Sequence, residues 1–296
     1  MALPTTPASL LPIVLQAMSR TPDARLRQLL GSLTTHLHQF VIDNQVSEAE
    51  FERAVGFIVG IGQATGPKKN EVILASDLLG VSTLVTLLNN SAGGALAESD
   101  AALLGPFWRA NAPRCAPGEN IARGGTPGLT LEVTGTVFDA QGAPLAGALV
   151  DVWQASPVGL YENQDPAQEN MNLRGVFTTD AAGRYALRTV LPMGYPVPTD
   201  GPCGELLAAQ HRQPMRPAHL HFMVSGAGHK VLITQWFPQG TPHIDEDPVF
   251  GVTAALVAAT ERGTESATVE GQPLERLTRD FRLLAGATVF PHPPIP

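Results

Sequence analysis

The apolar positions of this chain follow two rhythms, a helical one over the N-terminal part and an alternating one after residue 129. Leu10, Leu11, Val14, Leu15 and Met18 recur at spacings of three and four and predict a short amphipathic helix. Thr21 then offers an N-cap with Pro22 at the first helical position, and Leu26, Leu29, Leu30, Leu33, Leu37, Phe40 and Val41 lay an apolar stripe along a second, longer helix. Ser47 and Glu50 have capping-box spacing, so a third helix opens there, carries Phe51, Val55, Ile58 and Val59, and is expected to end among Gly60, Gly62 and Gly66-Pro67. Residues 70–90 have the length and apolarity of a fourth helix, closing at Asn89 and Asn90 before the small-residue stretch 91–100. Asp77 is its odd member, a carboxylate among Leu74, Leu78, Leu79 and Val81; taken alone, it reads as a solvent-facing or capping residue.

From Leu129 the pattern becomes alternating. Residues 129–139 and 148–156 read as strands joined by a Gly- and Pro-containing turn, 175–180 and 183–190 flank a second turn, and 231–237 is a further strand. Tyr185 sits within one of these strands, where an aromatic is structural. Residues 196–217 hold so many prolines and glycines that they read as a stiffened loop. The expected fold class is α+β, with a helical N-terminal domain over residues 1–100 and an antiparallel β-sandwich over 101–296, its site built from strand ends and loops at one edge.

Composition narrows the function classes. A hydrophobic content of 44% over 296 residues is ample for a core, and a formal net charge of -8 with no basic cluster disfavours nucleic acid as a partner. Cys115 and Cys203 are too few and too unpatterned for a disulfide framework or a zinc site, which fits a reducing compartment. The apolar run 9–18 follows no basic region, contains Pro12 and is far shorter than a membrane span, so a cytoplasmic protein that does not span a membrane is expected.

Candidate chemistry begins at residues 216–224, RPAHLHFMV, which read as a strand. Successive side chains of a strand alternate, so His219 and His221 share one face while Leu220 and Phe222 take the other, and two imidazoles on one face can chelate a metal. An isolated H-x-H is equally compatible with one core and one exposed histidine. Of the three tyrosines in the chain, Tyr161 and Tyr195 precede this strand in glycine- and proline-rich settings. Two phenolates with two imidazoles form a hard, anionic donor set suited to iron(III). With DVWQA, GLY, GYPVPTDGP, RPAHLHF and ITQWF in this order, the chain resembles the intradiol ring-cleaving dioxygenases, the catechol and hydroxyquinol 1,2-dioxygenase family, over about residues 70–252.

The resemblance implies one non-haem iron(III) per subunit bound by Tyr161, Tyr195, His219 and His221. In such a site Tyr195 would leave when the substrate chelates and act as a base, Arg216 would stabilise charge developing on the ring, and Gln235 would orient the substrate or Arg216. Its pocket wall would comprise Leu74, Asp77, Leu104, Gly105, Pro106, Phe107, Val197, Pro198 and Val249. The resemblance further implies O2 and a small aromatic diol or triol as substrates, and a homodimer through the N-terminal helices with phospholipid between them. Residues 244–252, IDEDPVFGV, together with Asp77 lean toward hydroxyquinol, cleaved to maleylacetate, with catechol cleaved to cis,cis-muconate as the alternative. Two rival readings remain: residues 133–153 also resemble a transthyretin-like binding sandwich without chemistry, and His219 and His221 with a carboxylate could serve a zinc hydrolase.

Overall fold

A computed structural model of the protein describes residues 3–66, 69–90, 99–262, 268–269 and 272–294. The chain divides into two compact units, Met1–Val59 and Gly60–Pro296.

The first unit holds α1 (Pro7–Met18), α2 (Ala24–Asp43) and most of α3 (Glu48–Ala64). α2 is capped by Asp23, whose carboxylate accepts from the Leu26 N–H at 2.7 Å, and not by Thr21. An aspartate there meets the helix dipole as well as the free N–H groups, and it leaves Pro22 outside the helix. The capping box at the start of α3 forms as its spacing requires: Ser47 N donates to Glu50 Oε2 at 2.8 Å, and Glu50 N donates to Ser47 Oγ at 3.3 Å. α3 does not stop at its glycines. It runs through Gly60 and Gly62 to Ala64, because an isolated glycine costs a helix only about 1 kcal/mol. No residue of α1 or α2 is buried, and Leu33, Leu37 and Phe40 of α2 and Phe51 and Ile58 of α3 are all more than half exposed.

In the second unit, the expected fourth helix is two: α4 (Glu71–Leu78) and α5 (Val81–Asn90), bent by 74°. Gly80, at a φ of +70°, makes the corner, a conformation that a residue with a Cβ adopts only under strain. Among the described residues no single helix is long and apolar enough to cross a membrane. Both helices pack within this unit: Arg212 Nη1 donates to Leu78 O at 2.9 Å, and Thr83 Oγ1 donates to Val249 O at 3.1 Å. The compact units therefore do not divide near residue 100, the expected domain boundary, but between Val59 and Gly60. Most of the small-residue stretch 91–100, residues 91–98, lies outside the described residues.

The strands run in chain order β1 (Thr130–Asp139), β2 (Leu149–Trp153), β3 (Arg174–Thr178), β4 (Arg184–Val190), β5 (Tyr195–Pro196), β6 (Met215–Arg216), β7 (Leu220–Ser225), β8 (Leu232–Pro238), β9 (Val257–Ala258), β10 (Glu261–Arg262), β11 (Thr268–Val269), β12 (Gln272–Pro273), β13 (Glu275–Thr278) and β14 (Phe281–Leu283). One sheet is ordered β10-β13-β1-β14, with β4 also on β1; the other is ordered β3-β2-β7-β8-β9. The sheets are mixed and not purely antiparallel, since β1 pairs parallel with β13 and β14, and β8 with β9. The C-terminal strands return to β1 by long connections, the only way a parallel neighbour can be reached. The two sheets bury one core, with Leu131, Val133 and Leu187 of the first against Val150, Phe222 and Trp236 of the second. Tyr185 is structural here, donating to Arg279 O at 2.7 Å and stacking on Phe281.

Strand β7 is buried at every position, on both faces. Its inner face joins the core, while its outer face and that of β8 are covered by residues 100–115. That segment is tied down by Ala102 N to Ile233 O at 2.9 Å, Thr234 Oγ1 to Asp100 O at 2.6 Å and Cys115 N to Val176 O at 2.9 Å. The stretch 196–217 is not all loop, since α6 (Pro202–Ala209) lies within it. Its Pro202 stands at the helix start, where a missing N–H costs nothing.

Candidate active site

The site lies on the covered outer face of the second sheet, where register puts three side chains in one row. Trp153 pairs with His221, and His221 with Gln235, across β2, β7 and β8. All three point away from the core, because Val152, Leu220, Phe222 and Trp236 point into it. The Trp153 ring lies flat against His221, with centroids 4.7 Å apart and planes 9° from parallel, which fixes the imidazole's orientation. His219 precedes β7, because the strand expected over 216–224 is interrupted: Arg216 belongs to the short β6, and Pro217, which has no N–H to offer, breaks the ladder. The two rings still meet, with centroids 4.8 Å apart.

The β5–β6 ladder pairs Tyr195 with Arg216, so one two-residue strand carries the phenol and its partner carries the guanidinium. Gly194 is needed beside it, since a Cβ there would lie 2.5 Å from Arg216 O. Tyr161 comes from the loop after β2. The neighbouring Glu162 anchors that loop, accepting from Arg109 Nη1 and Arg174 Nε, each at 2.7 Å. Phe107 stacks on Tyr161 with ring centroids 4.5 Å apart.

Four donor groups converge as a result. Tyr161 Oη is 3.4 Å from Tyr195 Oη, and Tyr195 Oη is 3.4 Å from His219 Nε2. The Nδ1 of His219 lies 2.8 Å from Pro217 O, a carbonyl that can only accept. Nδ1 therefore carries the proton, and the Nε2 lone pair faces Tyr195 Oη at 3.4 Å and Arg216 Nη1 at 3.2 Å. Burial, then the Arg216 charge, pulls His219 down to about 3, and burial and His219 push His221 well below its ordinary value, so both imidazoles are neutral. Burial and the neighbouring Tyr195 raise the Tyr161 hydroxyl well above its ordinary value, so its phenolate form needs a bound cation. His221 Nδ1 is buried without a hydrogen-bond partner. Among the described residues no three His, Cys, Asp or Glu side chains gather as a metal site, so a cation held here depends on the tyrosines. Two neutral nitrogens and two latent phenolates, buried together, fit a hard trivalent ion such as iron(III).

Above these groups opens an apolar pocket lined by Leu74, Asp77, Gly105, Pro106, Phe107, Val197, Pro198 and Val249, with Tyr195 and Arg216 at its floor. Every expected wall residue is present except Leu104. Leu103 lines this pocket in its place, while Leu104, with Leu103, lines a separate cavity beside Ser82 and Val85. Gly105, at a φ of +74°, brings its backbone against the imidazole; a Cβ there would be 3.1 Å from His221 Cε1. Asp77 faces the pocket and is not a solvent-facing cap. Burial raises its carboxyl, opposed by Ser82 and Arg216.

Arg216 is 4% exposed and held by a residue the sequence did not single out. Asp247 binds it through both oxygens, to Nε at 3.1 Å and Nη2 at 3.2 Å. Burial opposes the arginine's charge, but Asp247 and then Tyr195 carry it above its ordinary value. Gln235 Oε1 is more distant, 3.5 Å from Nη2, while its Nε2 donates to Leu103 O at 2.6 Å. Gln235 thus ties the pocket wall to the arginine.

The sequence matches the family model described as "Dioxygenase" over residues 103–284 and that described as "Catechol dioxygenase N terminus" over 23–95. It is 42% identical over 250 residues to a hydroxyquinol 1,2-dioxygenase from a Rhizobium species, covering 84% of each chain. It is 36% identical over 240 residues to a catechol 1,2-dioxygenase from Candida albicans, covering 80% of this chain and 79% of the other. The fold superposes on the crystal structure of hydroxyquinol 1,2-dioxygenase from Pseudomonas putida with a TM-score of 0.87 at 36% identity, covering 95% of this chain and 99% of that one. A paired tyrosine and histidine set on the outer face of a sandwich sheet, matched along nearly the whole chain, places this protein in the intradiol dioxygenase family.

Proposed function

We propose that this enzyme cleaves the ring of hydroxyquinol with O2, giving maleylacetate, and that it does so with one non-haem iron(III) held by Tyr161, Tyr195, His219 and His221. The observation that carries the reading is the convergence of two tyrosine hydroxyls and two neutral imidazoles beneath a largely apolar pocket whose lining includes the carboxylate of Asp77 and the buried cation of Arg216. Bound iron(III) would draw electron density from a chelated substrate dianion and so let the ring react with O2. The bond between the two hydroxyl-bearing carbons breaks, both atoms of O2 enter the product, and no outside reductant is consumed.

Of the two tyrosines, Tyr195 lines the pocket and Tyr161 does not, so Tyr195 is the one whose oxygen can take a proton from a substrate hydroxyl. Arg216, permanently charged and buried, stabilises negative charge that develops on the ring and its oxygens. Phe107 and the Leu74, Val197 and Val249 side chains clasp the ring and exclude water. Purified protein is expected to contain iron and to take up one O2 per hydroxyquinol consumed, with maleylacetate as product. Zinc in place of iron, or no uptake with either hydroxyquinol or catechol, would overturn this reading; uptake with catechol in preference would overturn only the choice of substrate.

The reading extends to assembly as a homodimer through the N-terminal helices, with phospholipid lodged between them. Half-exposed Leu29, Leu33, Leu37 and Phe40 along one helix form an apolar stripe of the kind that marks an interaction surface. Light scattering at micromolar concentration should return twice the 31.3 kDa chain mass. A monomeric mass for the full chain would count against it.

A further inference from the structure

Outside the four proposed ligands, Asp247 is a buried charged group at the site with both oxygens engaged. It is 6% exposed, and besides its two contacts to Arg216 it accepts from Gly251 N at 2.9 Å and Val249 N at 3.4 Å. Both oxygens are therefore fixed from behind by backbone and in front by the guanidinium. This takes up Nε and Nη2 of Arg216 and leaves Nη1, 3.2 Å from His219 Nε2, as the nitrogen turned toward the site. The backbone turn that carries Asp247 is itself pinned: Arg212 Nη2 donates to Pro248 O at 2.6 Å, and Gln213 Nε2 donates to Glu246 O at 2.6 Å. Gly251 closes the cradle, since a Cβ there would lie 3.0 Å from Arg216 Nη2 and 3.1 Å from Asp247 Oδ2.

We infer that Asp247 is a positioning residue of the ring-cleavage reaction, one that acts on the substrate only through Arg216 by fixing which guanidinium nitrogen reaches the pocket. Lysine could not replace that arginine, because a point charge cannot meet both oxygens of Asp247 and still present a third donor in a set direction. Gln235, at 3.5 Å, cannot do this alone. The segment that bears Asp247 also supplies Val249 to the pocket wall, so the arginine's aim and the wall's position share one support.

The inference rests on the ring-cleavage reading and is tested apart from it by a double-mutant cycle on the iron-loaded enzyme, with Asp247→Asn, Arg216→Lys and the pair. Asp247→Asn is expected to lower kcat at least about tenfold, with the KM for hydroxyquinol, the iron content and the visible absorption band close to parental values. In the Arg216→Lys background the same change should cost less than about twofold, since a residue that works through Arg216 has nothing left to aim. Losses that multiply across the cycle, or an unchanged kcat in Asp247→Asn, overturn the inference. Should Asp247→Asn fail to fold because it strands the buried cation, Gly251→Ala enters the same cycle. It keeps both charges, crowds their contact, and is judged by the same two outcomes. A parent without iron or ring-cleaving activity would instead sink the ring-cleavage reading itself.

Discussion

Tyr161→Phe should yield a folded protein that has lost its visible colour and at least a thousandfold of its ring-cleaving rate, roughly 4 kcal/mol of transition-state stabilisation. The ring's packing survives the change, because Phe107 stacks on its face and Arg174 sits over it at 5.8 Å whether or not the hydroxyl is present. What is lost is one oxygen, 3.4 Å from Tyr195 Oη. Without it, a trivalent cation would face one phenolate and two neutral nitrogens, and a buried charge left short of counter-charge is held weakly. The band that vanishes is the phenolate-to-iron(III) charge transfer, so iron content and absorption should fall together. Tyr185→Phe supplies the control: its hydroxyl bonds only Arg279 O, so it should cost about 1 kcal/mol of stability and leave the colour intact. Full colour in Tyr161→Phe, or equal bleaching in both variants, would remove Tyr161 from the ligand set.

The contrast between these tyrosines also marks what a sequence can disclose. Metal chemistry restricts residue type, so two histidines one residue apart and two tyrosines in loop-forming contexts could be read from the chain, and the structure brings those four side chains together. The face they occupy was legible too, because Leu220 and Phe222 alternate with His221. Asp247 was not legible. Asp245, Glu246 and Asp247 stand in a row, and nothing local says that the third is buried against Arg216 while Asp245 and Glu246 are exposed. Positions whose meaning depends on a partner 31 residues away have no signature in spacing.

The backbone differences have the same origin. Gly80 in an apolar helical pattern is compatible with an unbroken helix, and only the pocket beneath it explains the corner that turns Asp77 inward. α6 was masked by proline and glycine, although Pro202 at a helix start and Gly204, whose Cβ would lie 2.1 Å from Thr199 O, are what that tight entry requires. The parallel partners of β1 lie more than a hundred residues downstream in short strands, where periodicity over three or four residues is too brief to register.

Asp77 should decide the choice between hydroxyquinol and catechol. The α4–α5 corner holds its carboxylate in a pocket whose apolar wall is Leu74, Phe107, Val197, Pro198 and Val249, with Lys69, Glu71 and Arg216 as the other charged residues of the lining. A third ring hydroxyl entering that wall loses its water, and a desolvated hydroxyl without a partner costs about 1 to 3 kcal/mol. Asp77 can accept that hydroxyl's hydrogen bond; with catechol, the carboxylate itself is the group left unmatched. Burial raises the Asp77 carboxyl, with Ser82 and then Arg216 opposing it, and a carboxyl in either form keeps an oxygen that can accept. The parent enzyme is therefore expected to favour hydroxyquinol over catechol in kcat/KM by at least about tenfold, equivalent to roughly 1.4 kcal/mol, and Asp77→Ala to lose most of that preference. Asp77→Asn should fall between the two, since an amide oxygen still accepts but without charge. Iron content should be parental in both variants, because Asp77 is not among the converging donors. A parent that prefers catechol, or a ratio unchanged in Asp77→Ala, would leave specificity to the shape of the Phe107 and Val249 wall, and would do so without disturbing the assignment of Tyr161, Tyr195, His219 and His221.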